Sequence, residues 1–371
     1  MASEQLSTVL VKPAGPACNM ACSYCFYSSK RQRFSAPSRM SPQTLEAMTR
    51  QLLSESSNEL TFSWQGGEPT LMGLDFFRQA LRLQQRYRRP RQQIHNALMT
   101  NGFALDEGWG QLLRESGVLV GISIDGPRDL HDVYRSSQQA QPTWQRTARA
   151  ARMLMAHGVP TNAVVVATDK SVDRGRQIYR FLTGMGFDHL QLVPCVESDP
   201  HAPERLAPFS VSPEGYGRLL CDLFDCWRED FVDGLPSVSV RWLDGVLHHY
   251  LGLPPTECTA SESCGKYLVV EHDGSVYSCD FFVDDEHELG NLHEQSLGAM
   301  FRSRGHREFG RAKGNVPPDC RRCEWLSHCH GGCPRNRGLQ SDGRTILCES
   351  YRHFFEYADS ELSRLARGWQ E

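Results

Sequence analysis

The sequence predicts an α/β protein: six strand–helix repeats building a parallel sheet covered by helices, followed by a cysteine-rich C-terminal unit. Three observations lead there. Runs rich in Val, Ile, Leu and Phe alternate with amphipathic helical stretches between Thr8 and Val193. The 14 cysteines are unevenly placed: three between Cys18 and Cys25, none from 26 to 194, and eight between Cys258 and Cys348. The chain of 371 residues, 40% hydrophobic and 23% charged, is long enough to fill a sizeable core. Periodicity alone fits an open or partly closed barrel and a doubly wound sheet equally well.

The elements follow in order. Strand-like runs are Thr8–Val11, Glu59–Trp64, Ile94–Met99, Val118–Ile124, Asn162–Ala167 and Leu190–Val193. Ser41 and Pro42 give an N-cap and first-turn signal, after which Leu45, Met48 and Leu52 recur at helical spacing. Further helices are expected over Asp75–Tyr87, Glu107–Glu115, Thr143–Ala156 and Val172–Met185. The proline-rich stretch Ser198–Pro208 marks a boundary, so the scaffold is read as 1–197 and a helical connector as 198–257, with helices at Pro213–Glu229 and Val240–Leu251. The cysteine-rich unit is read as 258–350 and a C-terminal helix as 351–371. Arg86, Arg88, Arg89 and Arg91 are read as solvated cations at a helix C-terminus.

Forty basic against 44 acidic residues give a net charge of −4, so no global field draws the chain to nucleic acid or an anionic membrane. Apolar stretches such as Ala163–Ala167 are far shorter than the roughly 20 residues of a membrane span. Met1–Gln5 shows neither a basic nor an apolar leader region, so no signal peptide and a reducing cytoplasm are expected. There, clustered cysteines are metal or redox ligands rather than disulfides.

Cys18-Asn19-Met20-Ala21-Cys22-Ser23-Tyr24-Cys25 follows closely on the first strand, at the strand end where barrel active sites gather. Three thiolates in one short loop hold three irons of a 4Fe–4S cube and leave the fourth open. A zinc knuckle would want a fourth ligand nearby, and neither His nor Cys occurs from 26 to 94. The C-x3-C-x2-C spacing, with aromatic Tyr24 before the last cysteine, resembles the radical S-adenosylmethionine (SAM) superfamily. Gln65-Gly66-Gly67-Glu68-Pro69 resembles that family's GGEP motif, which holds the methionine amino group. Thr100-Asn101-Gly102 and Ser123-Ile124-Asp125-Gly126-Pro127 end the next two strands. The resemblance implies a partial barrel of six β/α units, with SAM contacts at Tyr24, Gln65, Gly66, Gly67, Glu68, Ser123, Asp125 and Arg146.

The C-terminal cysteines run C-x5-C-x14-C from Cys258, then Cys320, Cys323, Cys329 and Cys333, then Cys348. Eight thiolates suit two fully ligated 4Fe–4S clusters or two four-cysteine zinc sites, and spacing does not choose. The layout is similar to the SPASM extension of radical SAM peptide-modifying enzymes. That resemblance implies one auxiliary cluster on Cys258, Cys264, Cys279 and Cys333 and another on Cys320, Cys323, Cys329 and Cys348, hence three clusters in all. Glu271-His272-Asp273-Gly274-Ser275-Val276-Tyr277 reads as a hairpin with an Asp-Gly turn, delivering Cys279 and Asp280 side by side. Cys195, Cys221 and Cys226 read as core thiols, and His328 and His330 as bystanders.

Within the SPASM group the chain resembles the anaerobic sulfatase-maturating enzymes. The matching stretches are Cys25-Phe26-Tyr27, Trp64–Pro69, Pro142-Thr143-Trp144-Gln145-Arg146, Gly331-Gly332-Cys333-Pro334 and Tyr351-Arg352-His353-Phe354-Phe355. Gln145 stands where the family often has an acidic residue. The resemblance implies that a 5′-deoxyadenosyl radical takes a Cβ hydrogen from a Cys or Ser of a sulfatase Cys/Ser-x-Pro-x-Arg segment. Asp280 accepts the thiol or hydroxyl proton with Tyr27 nearby, an auxiliary cluster takes the second electron, and formylglycine results. A flavodoxin- or ferredoxin-like donor is implied. The competing expectations are a related maturase forming a thioether, carbon–carbon crosslink or epimer, and a zinc-binding interaction module without catalysis.

Overall fold

In the computed structural model, residues 5–34, 39–339 and 342–369 are described. They fall into two units. The first comprises Met1–Ser123, Arg135–Thr161 and Gly265–Gly310; the second comprises Ile124–Tyr134, Asn162–Cys264 and Arg311–Glu371. The strands are β1 (Thr8–Lys12), β2 (Glu59–Trp64), β3 (Gln93–Thr100), β4 (Leu119–Ser123), β5 (Thr161–Ala167), β6 (His189–Pro194), β7 (Ser198–Asp199), β8 (Ala202–Leu206), β9 (Phe231–Val232), β10 (Leu235–Pro236), β11 (Ser239–Val240), β12 (Leu268–Glu271), β13 (Ser275–Tyr277) and β14 (Glu288–Asn291).

The first unit carries seven of these strands in the order β4-β3-β2-β1-β12-β13-β14. β1 to β4 pair in parallel, as the sequence predicts for this stretch. Helix α1 (Pro42–Glu55) starts where Ser41 Oγ accepts the Thr44 N–H at 3.0 Å, with Pro42 in the first turn. α2 (Leu74–Tyr87) and α3 (Glu107–Glu115) follow their strands, and each buries one apolar face. Arg89 departs from the solvated reading. Its guanidinium donates to the carbonyls of Ser56 at 2.7 Å and Ser57 at 3.2 Å, which caps α1 and draws the cation out of solvent.

The C-terminal hairpin joins this sheet. β12 runs parallel to β1 in a register that places Lys12 opposite Glu271, and β13 and β14 continue antiparallel. The Asp273-Gly274 turn forms as expected: Asp273 Oδ1 accepts the Ser275 N–H at 3.0 Å, and Gly274 takes φ +90°, which a side chain would strain.

In the second unit β5, β6 and β11 lie parallel in the order β11-β6-β5. β7 with β8 and β9 with β10 form two small antiparallel pairs. The expected 172–185 helix is observed as Gly175–Gly184, because Ser171 and Arg174 are still occupied in turn hydrogen bonds. The C-terminal helix begins earlier than expected and covers Cys348–Gly368, while 370–371 lie outside the described residues. Phe224 and Trp242 each pack edge-on against Phe354, centring the core of this unit. Cys195 and Cys226 are buried and Cys221 is partly buried, as expected of core thiols. No helix among the described residues is long and apolar enough to cross a membrane.

Candidate active site

The three-cysteine loop is held by backbone geometry that begins at β1. Gly67 N–H donates to Gly15 O and Glu68 N–H to Ala17 O, each at 2.8 Å. A Cβ on Gly67 would lie 2.1 Å from Ala17 O, so only glycine permits this approach. The paired glycines after β2 thereby dock the segment that leads into Cys18. Gln138 Nε2 donates to Cys18 O at 3.0 Å and to Met20 O at 2.9 Å, and Asn101 Nδ2 reaches Cys18 Sγ at 3.6 Å. Burial pushes the Cys18 thiol up to about 12. A thiolate there needs a cation or a metal beside it.

Glu68 is 1% exposed and ties two strand ends together. Its Oε1 accepts from Thr70 N at 3.0 Å, Thr70 Oγ1 at 2.6 Å and Thr100 Oγ1 at 2.8 Å; its Oε2 accepts from Asn101 N at 2.8 Å. Burial raises its pKa, and these four donors oppose the shift. Of the other expected SAM contacts, Tyr24 is buried with the Arg135 guanidinium 5.4 Å from its ring centre, and Gln65 is partly exposed. Arg146 lies over the Phe103 ring at 3.6 Å and donates to Phe103 O at 2.9 Å. Ser123 ends β4 in the first unit. Asp125 belongs to the second, where its Oδ1 accepts the Val166 N–H at 2.9 Å.

A buried polar centre forms where β1, β12 and the turn after Cys25 meet. Tyr27 lies in a 3-10 helix, Phe26–Gln32, and is 2% exposed. Its hydroxyl donates to Oε1 of Glu271, a fully buried side chain. Burial first, and then the Glu271 charge, push the Tyr27 pKa well above its usual value. Lys12, 1% exposed, places Nζ 4.8 Å from the Tyr27 ring centre and 3.5 Å from Asp280 Oδ2. The Tyr267 hydroxyl is 3.4 Å from Asp280 Oδ1 and 3.3 Å from Cys279 Sγ. Asp280 and Tyr27, both expected from the sequence, thus share one neighbourhood. Lys12, Glu271 and Tyr267 were not expected; only the parallel pairing of β1 with β12 brings the first two together.

In the second unit, Cys320, Cys323, Cys329 and Cys348 line one cavity of about 400 Å³ with Trp325, Arg344 and Tyr351. Burial pushes the Cys329 thiol up to about 11 and raises Cys320 and Cys348. The volume far exceeds the roughly 30 Å³ share of one water and suits a multi-atom group. Among the described residues no three Cys, His, Asp or Glu side chains converge as ligands of one ion. Cys258, Cys264 and Cys333 lie elsewhere in this unit, around buried Lys313; Cys279 belongs to the first unit. His328 packs on His249 with ring centres 4.1 Å apart, and burial lowers its pKa to about 4.

Comparison with known proteins covers nearly the whole chain. The cysteine-type anaerobic sulfatase-maturating enzyme of Clostridium perfringens is 36% identical over 365 residues, covering 97% of this chain and 98% of the relative. The chain belongs to the anaerobic sulfatase-maturating enzymes. The serine-type anaerobic sulfatase-maturating enzyme of Bacteroides thetaiotaomicron is 35% identical over 370 residues, covering 94% of this chain and 88% of that one. The Radical SAM superfamily model matches residues 13–182, and the SPASM iron–sulfur cluster-binding domain model matches 258–324. The solved structure of native anSMEcpe with bound AdoMet and Cp18Cys peptide superposes with a TM-score of 0.89 at 34% identity, covering 97% of this chain and 98% of that one. This member of the anaerobic sulfatase-maturating enzymes is therefore an oxidoreductase with a radical SAM domain and a C-terminal SPASM domain.

Proposed function

We propose that this chain oxidises a Cys or Ser residue of a sulfatase-type peptide to formylglycine, using SAM and three 4Fe–4S clusters. The observation that carries the reading is the ion pair of buried Lys12 with partly exposed Asp280 beside Cys279, next to the Tyr27–Glu271 hydrogen bond. Cys18, Cys22 and Cys25 would hold the catalytic cluster, and Cys320, Cys323, Cys329 and Cys348 one auxiliary cluster. Cys258, Cys264 and Cys333 would contribute to another, with Cys279 the fourth ligand that the family resemblance names. When bound, the catalytic cluster and SAM supply the radical that removes a Cβ hydrogen from the substrate residue.

The protein's own part is orientation and proton removal. Asp280 accepts the substrate's thiol or hydroxyl proton, and Lys12 holds its carboxylate in place across 3.5 Å. Tyr27 is fixed by Glu271, so its ring forms a rigid wall beside the ammonium of Lys12 and helps keep water out. Glu68, Thr70, Thr100 and Asn101 lock the strand ends that support the SAM side. A flavodoxin- or ferredoxin-like protein would supply electrons, in a reducing cytoplasm. The test is mass spectrometry of a Cys/Ser-x-Pro-x-Arg peptide after anaerobic incubation with SAM and reductant. Formylglycine is expected, and Asp280→Asn should still cleave SAM while aldehyde yield collapses. A crosslink or epimer as product would reject the reading; unchanged aldehyde in Asp280→Asn would remove that residue from its role.

A further inference from the structure

Lys313 is wholly buried and, among the described residues, has no carboxylate at ion-pair distance. Its Nζ donates to two backbone carbonyls, Cys258 O at 2.6 Å and Thr259 O at 2.8 Å. The thiols of Cys258, Cys264 and Cys333 are the negative groups within its electrostatic range, and Cys264 and Cys333 feel each other as well. The nearby Arg337 offers no neutralising charge. Its guanidinium is spent on the carbonyls of Lys313, Asn315, His330 and Gly331, and so fastens the Lys313 segment to the loop before Cys333. Two cations thus converge on three thiols, and among the described residues neither has a carboxylate at ion-pair distance.

Burying an ammonium is costly unless negative charge faces it, and carbonyl dipoles offset only part of that cost. A thiolate-ligated iron–sulfur cluster carries net negative charge that grows when it gains an electron. A fixed cation beside it favours the reduced form, and local charge and hydrogen bonding are the levers that set such potentials. We propose that Lys313 is the counter-charge of the cluster on Cys258, Cys264 and Cys333, raising its reduction potential so that it accepts an electron more readily. This rests on the cluster assignment proposed above.

The test is an EPR-monitored redox titration of the anaerobically purified full chain, with iron analysis. Cys264→Ala identifies the component to follow, as the signal lost with about four irons per chain. If Cys264→Ala loses neither iron nor signal, the cluster assignment fails, and this inference with it. Lys313→Gln keeps a donor for the two carbonyls but removes the charge. It should keep its iron and lower the reduced-to-oxidised ratio about tenfold at fixed solution potential, a downward shift of about 59 mV for a one-electron couple. Lys313→Arg should stay near the wild-type potential. A fully loaded Lys313→Gln protein with wild-type potential would overturn the proposal. If Lys313→Gln loses the cluster and Lys313→Arg retains it, the charge is needed even for assembly, which supports the proposal. Loss in both variants assigns Lys313 to packing alone and rejects it.

Discussion

Glu68→Gln separates a scaffold role from ligand contact at the GGEP turn. Glu68 accepts three hydrogen bonds on Oε1 and one on Oε2, from Asn101 N–H at 2.8 Å. A glutamine can turn its oxygen toward the three donors, which sets its NH2 against the Asn101 N–H. One charge-assisted bond is lost and one buried donor is left unmatched, a cost of about 1.5–3 kcal/mol. The remaining three bonds weaken because the acceptor is no longer charged. Relief of the buried charge, which raises the Glu68 pKa, offsets part of this. The net expectation is roughly 2–4 kcal/mol, or about 4–16 °C in Tm for a unit of this size. Anaerobic calorimetry with and without SAM reads both effects, since SAM stabilises by RT ln(1 + [L]/Kd). A lowered Tm with an undiminished SAM increment is the result a scaffold requires. A wild-type Tm together with a lost SAM increment would refute the reasoning and make Glu68 a ligand contact.

Three further expectations follow from the geometry. Gly67→Ala places a methyl group 2.1 Å from Ala17 O, so the loop entering Cys18 must move; iron analysis should show about four irons fewer per chain. Tyr27→Phe strips the buried Glu271 carboxylate of its donor and should cost about 3 kcal/mol or more, while Tyr27→Phe combined with Glu271→Leu should recover much of that in an unfolding double-mutant cycle. His328 has a folded pKa near 4, below its unfolded value, so the unfolded chain binds more protons between those values. Stability should therefore fall as pH drops from 6.5 to 5, by at most about 2 kcal/mol, and His328→Leu should flatten that part of the Tm–pH curve.

The parts legible in the sequence were those whose chemistry is local. The Asp-Gly turn and the Ser-Pro helix start each declare themselves within a few residues, and both are found where they were expected. What stayed hidden depends on pairing between distant segments. Lys12 looks like an ordinary strand end and Glu271 like an ordinary turn residue until β12 lies parallel to β1. The GGEP glycines suggest a ligand, yet Gly67 is required by the backbone of residues 15–17. Arg89 reads as a surface cation because nothing local reveals that the carbonyls ending α1 lie within its reach. Lys313 sits in an unremarkable polar stretch, and only burial among thiols distinguishes it.

The pairing of Lys12 with Glu271 also orders events during synthesis. β1 and the three-cysteine loop leave the ribosome early, but Glu271 and Asp280 arrive only when the hairpin after residue 268 has been made. Until then the β1 edge has no β12, and Lys12 has no carboxylate to meet it. A nascent chain can present its first three thiols yet cannot form the Lys12–Asp280 pair. The long return of β12 thus closes the β1 edge and the Lys12–Asp280 pair only after the parallel run from β1 to β4 has been made.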